Sequence, residues 1–101
     1  MSKFCDKVTL ILPCFNEEKA IASTLNNLLD HVDVGGCEII VVDDGSTDKS
    51  IEILESFRDR IKIVKHRLNR GYGSAIASGC TESTREFVVW VDSDGQHQVK
   101  D

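Results

Sequence analysis

Predominantly apolar runs recur at four places: residues 8–12 (Val-Thr-Leu-Ile-Leu), 38–42 (Glu-Ile-Ile-Val-Val), 61–64 (Ile-Lys-Ile-Val) and 87–91 (Phe-Val-Val-Trp-Val). Their lack of regular polar alternation marks strands of a parallel sheet covered on both faces. Between them the period changes. Ile21, Leu25, Leu28 and Val32 repeat at helical spacing and give one apolar face. Asn16 is placed to cap that helix, with Glu17 and Glu18 in its first turn, where negative charge suits the helix dipole. Ser46 or Thr47 is placed to cap a second helix that buries Ile51, Leu54 and Phe57. A third helix, over residues 74–80, is built mainly from small side chains, so its backbone can lie close to the sheet or to a ligand. Pro13, the pair Gly35-Gly36 and the turn Asn69-Arg70-Gly71-Tyr72-Gly73 break the runs, and Pro13 is expected to halt the first strand.

Strand and helix alternate throughout, which predicts right-handed crossovers and an α/β fold: a three-layer α/β/α sandwich with a mainly parallel sheet. The expected strand order is 3-2-1-4, as in one half of a doubly wound sheet, with a crevice beyond the carboxyl ends of the first and fourth strands. That order gathers residues 13–17, 43–46, 69–73 and 92–96 onto one rim. Every strand ends there in polar or conformationally special residues, and the opposite rim shows no such concentration. The rim is the expected binding site.

Composition narrows the partners. The 101 residues suffice for one domain, and 41% hydrophobic with 29% charged residues is ordinary for a soluble globular protein. A net charge of −5 argues against nucleic acid as a partner. Cys5, Cys14, Cys37 and Cys80 contain no Cys-x-x-Cys pair, so zinc spacing is absent and free thiols in a reducing, cytoplasmic compartment are expected. The first residues lack a signal-peptide core, and no apolar run approaches the roughly 20 residues that cross a bilayer. Any membrane contact is expected to be peripheral or through segments outside this chain.

The sharpest chemical signal is Asp92-Ser93-Asp94-Gly95, directly after the fourth apolar run. Two carboxylates one residue apart suit a hard cation such as Mg2+ or Mn2+, which keeps sites open for phosphate oxygens. A plain polar turn is the competing reading.

Four blocks, LILPCFNEE, EIIVVDDGSTDKS, NRGYGSAIASG and VVWVDSDGQH, together resemble the nucleotide-binding half of family 2 glycosyltransferases with the GT-A fold. The ending DSDGQH is most similar to polyprenyl-phosphate (dolichyl-phosphate-type) sugar synthases. The resemblance implies an inverting transfer from a metal-bound UDP- or GDP-sugar, with a polyprenyl phosphate or a saccharide as acceptor. It implies that Pro13, Phe15 and Glu17 line the pocket for base and ribose and that Asp43 hydrogen-bonds the base. Asp44, Gly45 and Ser46 would build the turn presenting Asp43, and Asn69, Gly71 and Gly73 would shape the loop and helix start beside the nucleotide. Asp92 and Asp94 would form a DXD-type motif contacting ribose and metal, with Gln96 a further metal ligand.

Other readings compete. A haloacid-dehalogenase-like phosphatase would use Asp92 as nucleophile, but that motif wants Thr or Val where Gln96 stands. A dinucleotide-binding motif would need its glycines after the first strand, whereas Gly71 and Gly73 follow the third. An EF-hand loop would place glycine sixth, and Gly95 falls fourth from Asp92. Family members are considerably longer, so residues 1–101 are expected to be the donor-binding part of a domain truncated after the DXD-type motif. On its own such a part is expected to be a catalytically inactive nucleotide-binding fragment that tends to homodimerise. Trp90 is expected in the core and Asp48 as first-turn helix decoration; Lys65, Arg67 and Arg70 are read either as approaching diphosphate oxygens or as a solvated basic edge, and His66 is unremarkable without a partner.

Overall fold

The computed structural model describes residues 5–30 and 36–91. A short 3-10 turn, Cys5–Lys7, leads into β1 (Val8–Cys14), α1 (Ile21–Asp30), β2 (Glu38–Asp44), α2 (Ser50–Glu55), β3 (Lys62–His66), α3 (Tyr72–Glu82) and β4 (Phe87–Trp90). The sheet has the order β3-β2-β1-β4 and every pairing is parallel. This is the predicted architecture.

Side-chain alternation divides the sheet into two faces. Leu10 and Leu12 of β1, with Ile39 and Val41 of β2, pack with Ile21 and Leu25 of α1 and Leu54 of α2. Ile11, Ile40 and Val42 point the other way and meet Ala75 of α3. α3 comes especially close: a Cβ at Gly79 would stand 2.7 Å from Cγ2 of Ile11. The small residues expected of this helix thus bring it against β1. Trp90 packs partly buried on the same side, in the core as expected.

Three expectations need correction. Pro13 does not halt β1, which continues through Cys14 in register with Asp43 of β2. The Ile11 carbonyl accepts from Val91 N–H at 2.9 Å and so faces β4, and Pro13, two residues on, faces the same way. Its missing N–H lies beyond the last described β1–β4 pair, Ile11 with Trp90, and removes nothing from the β1–β2 ladder. β4 is not buried on both faces either. Among the described residues it is an edge strand, with Phe87 48% exposed, although Val91 is 5% exposed. Finally, Cys14 and Cys80 are free but Cys37 is disulfide-bonded. Spacing along the chain excluded a zinc pattern, but it carries no information about which thiols meet in space.

Candidate functional site

The carboxyl ends of β1, β2 and β3 continue into three loops, and side chains crossing between these loops tie them into one rim. Asn16, just after β1, has φ +50°. Its Oδ1 accepts from the backbone N–H of Thr47 at 2.8 Å and of Asp48 at 3.3 Å, both beyond β2. Its own N–H donates to Ser46 Oγ at 2.9 Å. One residue on, Glu17 N–H donates to Ser50 Oγ at 2.9 Å, and Ser50 is fully buried. Glu18 and the second loop then exchange hydrogen bonds: Glu18 N–H to Asp48 Oδ2 at 3.2 Å, and Lys49 N–H to Glu18 Oε1 at 3.1 Å. Asn16 is therefore not the cap of its own helix but a latch on the neighbouring loop. Asp48 is not decoration either, since its Oδ1 also accepts from Ser50 N–H at 2.9 Å at the start of α2.

The second and third loops meet backbone to backbone. Gly45 has φ +78°, and a Cβ there would lie 2.6 Å from the amide nitrogen of Asn69 and 2.7 Å from the carbonyl carbon of Leu68. Only glycine fits that contact. Asp44 completes the junction. Its Oδ1 accepts from Arg70 N–H at 2.9 Å and its Oδ2 from Gly71 N–H at 2.8 Å. His66 Nδ1 is 2.6 Å from the same Oδ1. Burial pushes the Asp44 carboxyl up, but hydrogen bonds from His66, Arg70 and Gly71 outweigh it and hold the group below the usual aspartate range. Asp44 is thus an ionised, 4% exposed anchor for the third loop.

The predicted contact residues fall on this rim. Pro13 is buried at the end of β1, Phe15 is 42% exposed just beyond it, and Glu17 is half-buried. Asn69 and Gly73 are exposed and Gly71 is half-buried at the start of α3. Asp43 is 1% exposed, with Oδ2 accepting from Ser46 N–H at 2.9 Å and Oδ1 from the Ser46 hydroxyl at 2.6 Å. The tight turn expected of Asp44, Gly45 and Ser46 is present, but it holds Asp43 inward. Asp92, Asp94 and Gln96 lie outside the described residues. Among the described residues no group of three or more His, Cys, Asp and Glu side chains is arranged to hold a metal. Cys14 offers no nucleophile: burial, reinforced by the negative charge of Asp43, pushes its thiol up to about 12.

The residues that sequence reasoning missed are Asn16 as a latch, Asp48 and Ser50 as bridges, and Asp44 with His66. The last pair follows from the β2–β3 register, which sets Asp44 opposite His66 and is a fact of the sheet rather than of the chain. No local pattern marks the others.

Known proteins share this fold. The family model described as "Glycosyl transferase family 2" matches residues 9–101. The UDP-N-acetylglucosamine–dolichyl-phosphate N-acetylglucosaminyltransferase of Methanococcus voltae is 32% identical, over 93% of this chain and 43% of its own length. The mannosyltransferase PcManGT from Pyrobaculum calidifontis, solved with GDP-Man and Mn2+, superposes with a TM-score of 0.82 at 27% identity, covering 89% of this chain and 28% of that one. S. aureus TarS 1-349, solved with UDP-GlcNAc, gives a TM-score of 0.76 at 35% identity, covering 87% and 26%. The chain spans well under half the length of the relatives it matches. Among the described residues no helix is long and apolar enough to cross a membrane. A parallel β3-β2-β1-β4 sheet shared with GT-A enzymes and a family match over nearly the whole chain lead to one assignment: the chain belongs to glycosyltransferase family 2.

Proposed function

We propose that these residues bind the nucleotide-sugar donor of an inverting glycosyl transfer. The observation that carries this reading is the latched rim at the carboxyl ends of β1, β2 and β3. On that rim Phe15 is exposed and the glycine-bearing loop before α3 is held by Asp44, at the end of the sheet where ligands of open α/β folds bind. Phe15 offers a flat apolar face for a base, Pro13 and Glu17 flank it, and Asn69, Gly71 and Gly73 border the nucleotide. Asp43 is the least accessible member and takes part through the lone pairs that Ser46 leaves unused. The complexes of similar enzymes with GDP-Man and Mn2+ and with UDP-GlcNAc support the choice of ligand.

Asp92, Asp94 and Gln96 form an all-oxygen donor set, which suits Mg2+ or Mn2+ rather than a thiophilic metal. These three residues would hold the ion, with Asp92 also on the ribose. When bound, the ion supplies Lewis-acid stabilisation of the diphosphate leaving group. In the reaction an acceptor oxygen attacks the anomeric carbon from the face opposite the diphosphate. The bond from that carbon to the diphosphate oxygen breaks, and the nucleoside diphosphate leaves with the electron pair. We assign a polyprenyl phosphate as acceptor, on the likeness to a dolichyl-phosphate transferase. Its phosphate oxygen is already anionic and needs little help from a base. Residues 1–101 then correspond to the donor-binding part of longer relatives, with membrane contact peripheral or through segments outside these residues.

Calorimetric titration of the full-length protein with UDP- and GDP-sugars, with and without Mn2+, tests this. We expect binding that requires the metal and weakens about tenfold or more in Asp94→Asn. Binding of equal strength in the presence of a chelator would overturn the assignment.

A further inference from the structure

Behind the rim runs a partly buried chain of side chains that the donor chemistry does not use. Asp44 Oδ1 meets His66 Nδ1 at 2.6 Å, and His66 Nε2 meets Ser78 Oγ of α3 at 2.7 Å. The Asp44 and His66 side chains are each 5% exposed. The trio has the order of a hydrolase triad but not its setting. Ser78 lies inside α3, Tyr72–Glu82, where backbone N–H groups are engaged in helix hydrogen bonds, so no oxyanion hole surrounds its Oγ.

The carboxylate of Asp44 fixes where one proton lies. An ionised carboxylate only accepts, so Nδ1 of His66 carries the hydrogen. Nε2 on the far side of the ring is hydrogen-bonded to the Ser78 hydroxyl, which can donate or accept. His66 thereby ties the carboxylate of Asp44 to helix α3. The two oxygens of Asp44 are also those that hold Arg70 and Gly71 N–H, in the loop between Asn69 and Gly73. One histidine sets the orientation of the group that shapes this loop.

We propose that His66, donating Nδ1–H to Asp44 and hydrogen-bonded through Nε2 to Ser78, is a positioning residue for the nucleotide-sugar donor, an inference that rests on the donor-site reading above. It pre-organises the loop before α3, so the loop need not be ordered when donor binds. Its removal therefore acts on donor affinity more than on turnover.

The test uses the full-length protein. In His66→Ala we expect the donor KM to rise about tenfold while kcat stays within about twofold, the signature of lost binding rather than lost chemistry. His66→Asn, whose side-chain amide can replace the Nδ1–H donor, should recover most of the affinity. Ser78→Ala should fall between. Amide hydrogen exchange gives a readout independent of substrate: Arg70 and Gly71 should exchange faster in His66→Ala while the β1 and β2 amides keep their protection. Nitrogen NMR of the imidazole should show the proton on Nδ1. A wild-type protein that binds no nucleotide sugar would refute the donor-site reading, and the inference with it. Wild-type binding with an unchanged KM in His66→Ala would overturn the positioning role alone. So would an Nδ1 that carries no proton, or a loss in His66→Ala that tracks falling melting temperature and is not restored by His66→Asn.

Discussion

Asn16 adopts φ +50° and turns its amide oxygen toward the loop beyond β2, where Thr47 and Asp48 N–H reach it. Asparagine tolerates the left-handed region better than residues other than glycine. Asn16→Ala removes the acceptor from two backbone donors and places alanine in a strained conformation. We expect a stability loss of about 1–3 kcal/mol, measured by urea denaturation. Asn16→Gly should recover the conformational share and leave the hydrogen-bond share, so it should lie between alanine and wild type. At this scale the chain announced which residues are special but not what they touch. Asn16 followed by Glu17 and Glu18 has the local form of a helix start. The latch becomes visible only when the loop some thirty residues later is brought alongside, at a separation of 31 positions for Thr47. The same holds for His66, which has no neighbour in sequence to give it a task.

Among the elements, α3 shows most directly how composition becomes packing. Its small residues let the helix lie on β1, with Gly79 against the fully buried Ile11. Gly79→Ala gains roughly 1 kcal/mol of helix propensity. It also sets a Cβ 2.7 Å from Ile11 Cγ2 and 2.8 Å from Cδ1, inside a packed layer. Overpacking of this kind costs about 1–3 kcal/mol. We expect net destabilisation, seen as a lower melting temperature, and a neutral or stabilised variant would show that α3 can lift away freely. The strands were legible because the apolar runs are long and closely spaced. Their limits were less so: β1 outlasts Pro13 because the missing N–H falls on the β4 side, a fact of pairing that no strand reveals alone.

Across the molecule the two rims divide their labour. The carboxyl rim carries the latch and the proposed donor site, while the opposite rim is fastened by Glu38 at the start of β2. Its carboxylate accepts from Thr9 Oγ1 at 2.7 Å and Thr84 N–H at 2.9 Å, with Lys62 Nζ at 3.4 Å. Burial alone would raise the group, but these bonds dominate and lower it from 4.5 to about 2. A carboxyl depressed on folding stabilises fully above its unfolded value, and that contribution is lost as pH falls through the folded one. Stability should therefore decline between about pH 4.5 and pH 2 by on the order of 2 kcal/mol from this group. Glu38→Gln should flatten that part of the acid-unfolding curve. An unchanged acid limb in Glu38→Gln would show that Glu38 does not govern it.

The sequence by itself determined the α/β class and the strand order β3-β2-β1-β4, because apolar period, breaker positions and crossover handedness are local or nearly universal constraints. It also marked glycine at position 45, whose positive φ and backbone contact admit nothing larger. The tertiary structure alone decided the partners: Asn16 on the second loop, Asp44 between His66 and two loop amides, Cys37 in a disulfide, and Phe87 on an exposed edge. These depend on register between strands and on how loops cross. Such contacts join groups 22 positions apart in the case of Asp44 and His66, and hydrogen-bond geometry in three dimensions selects them where chain neighbours carry no trace of it.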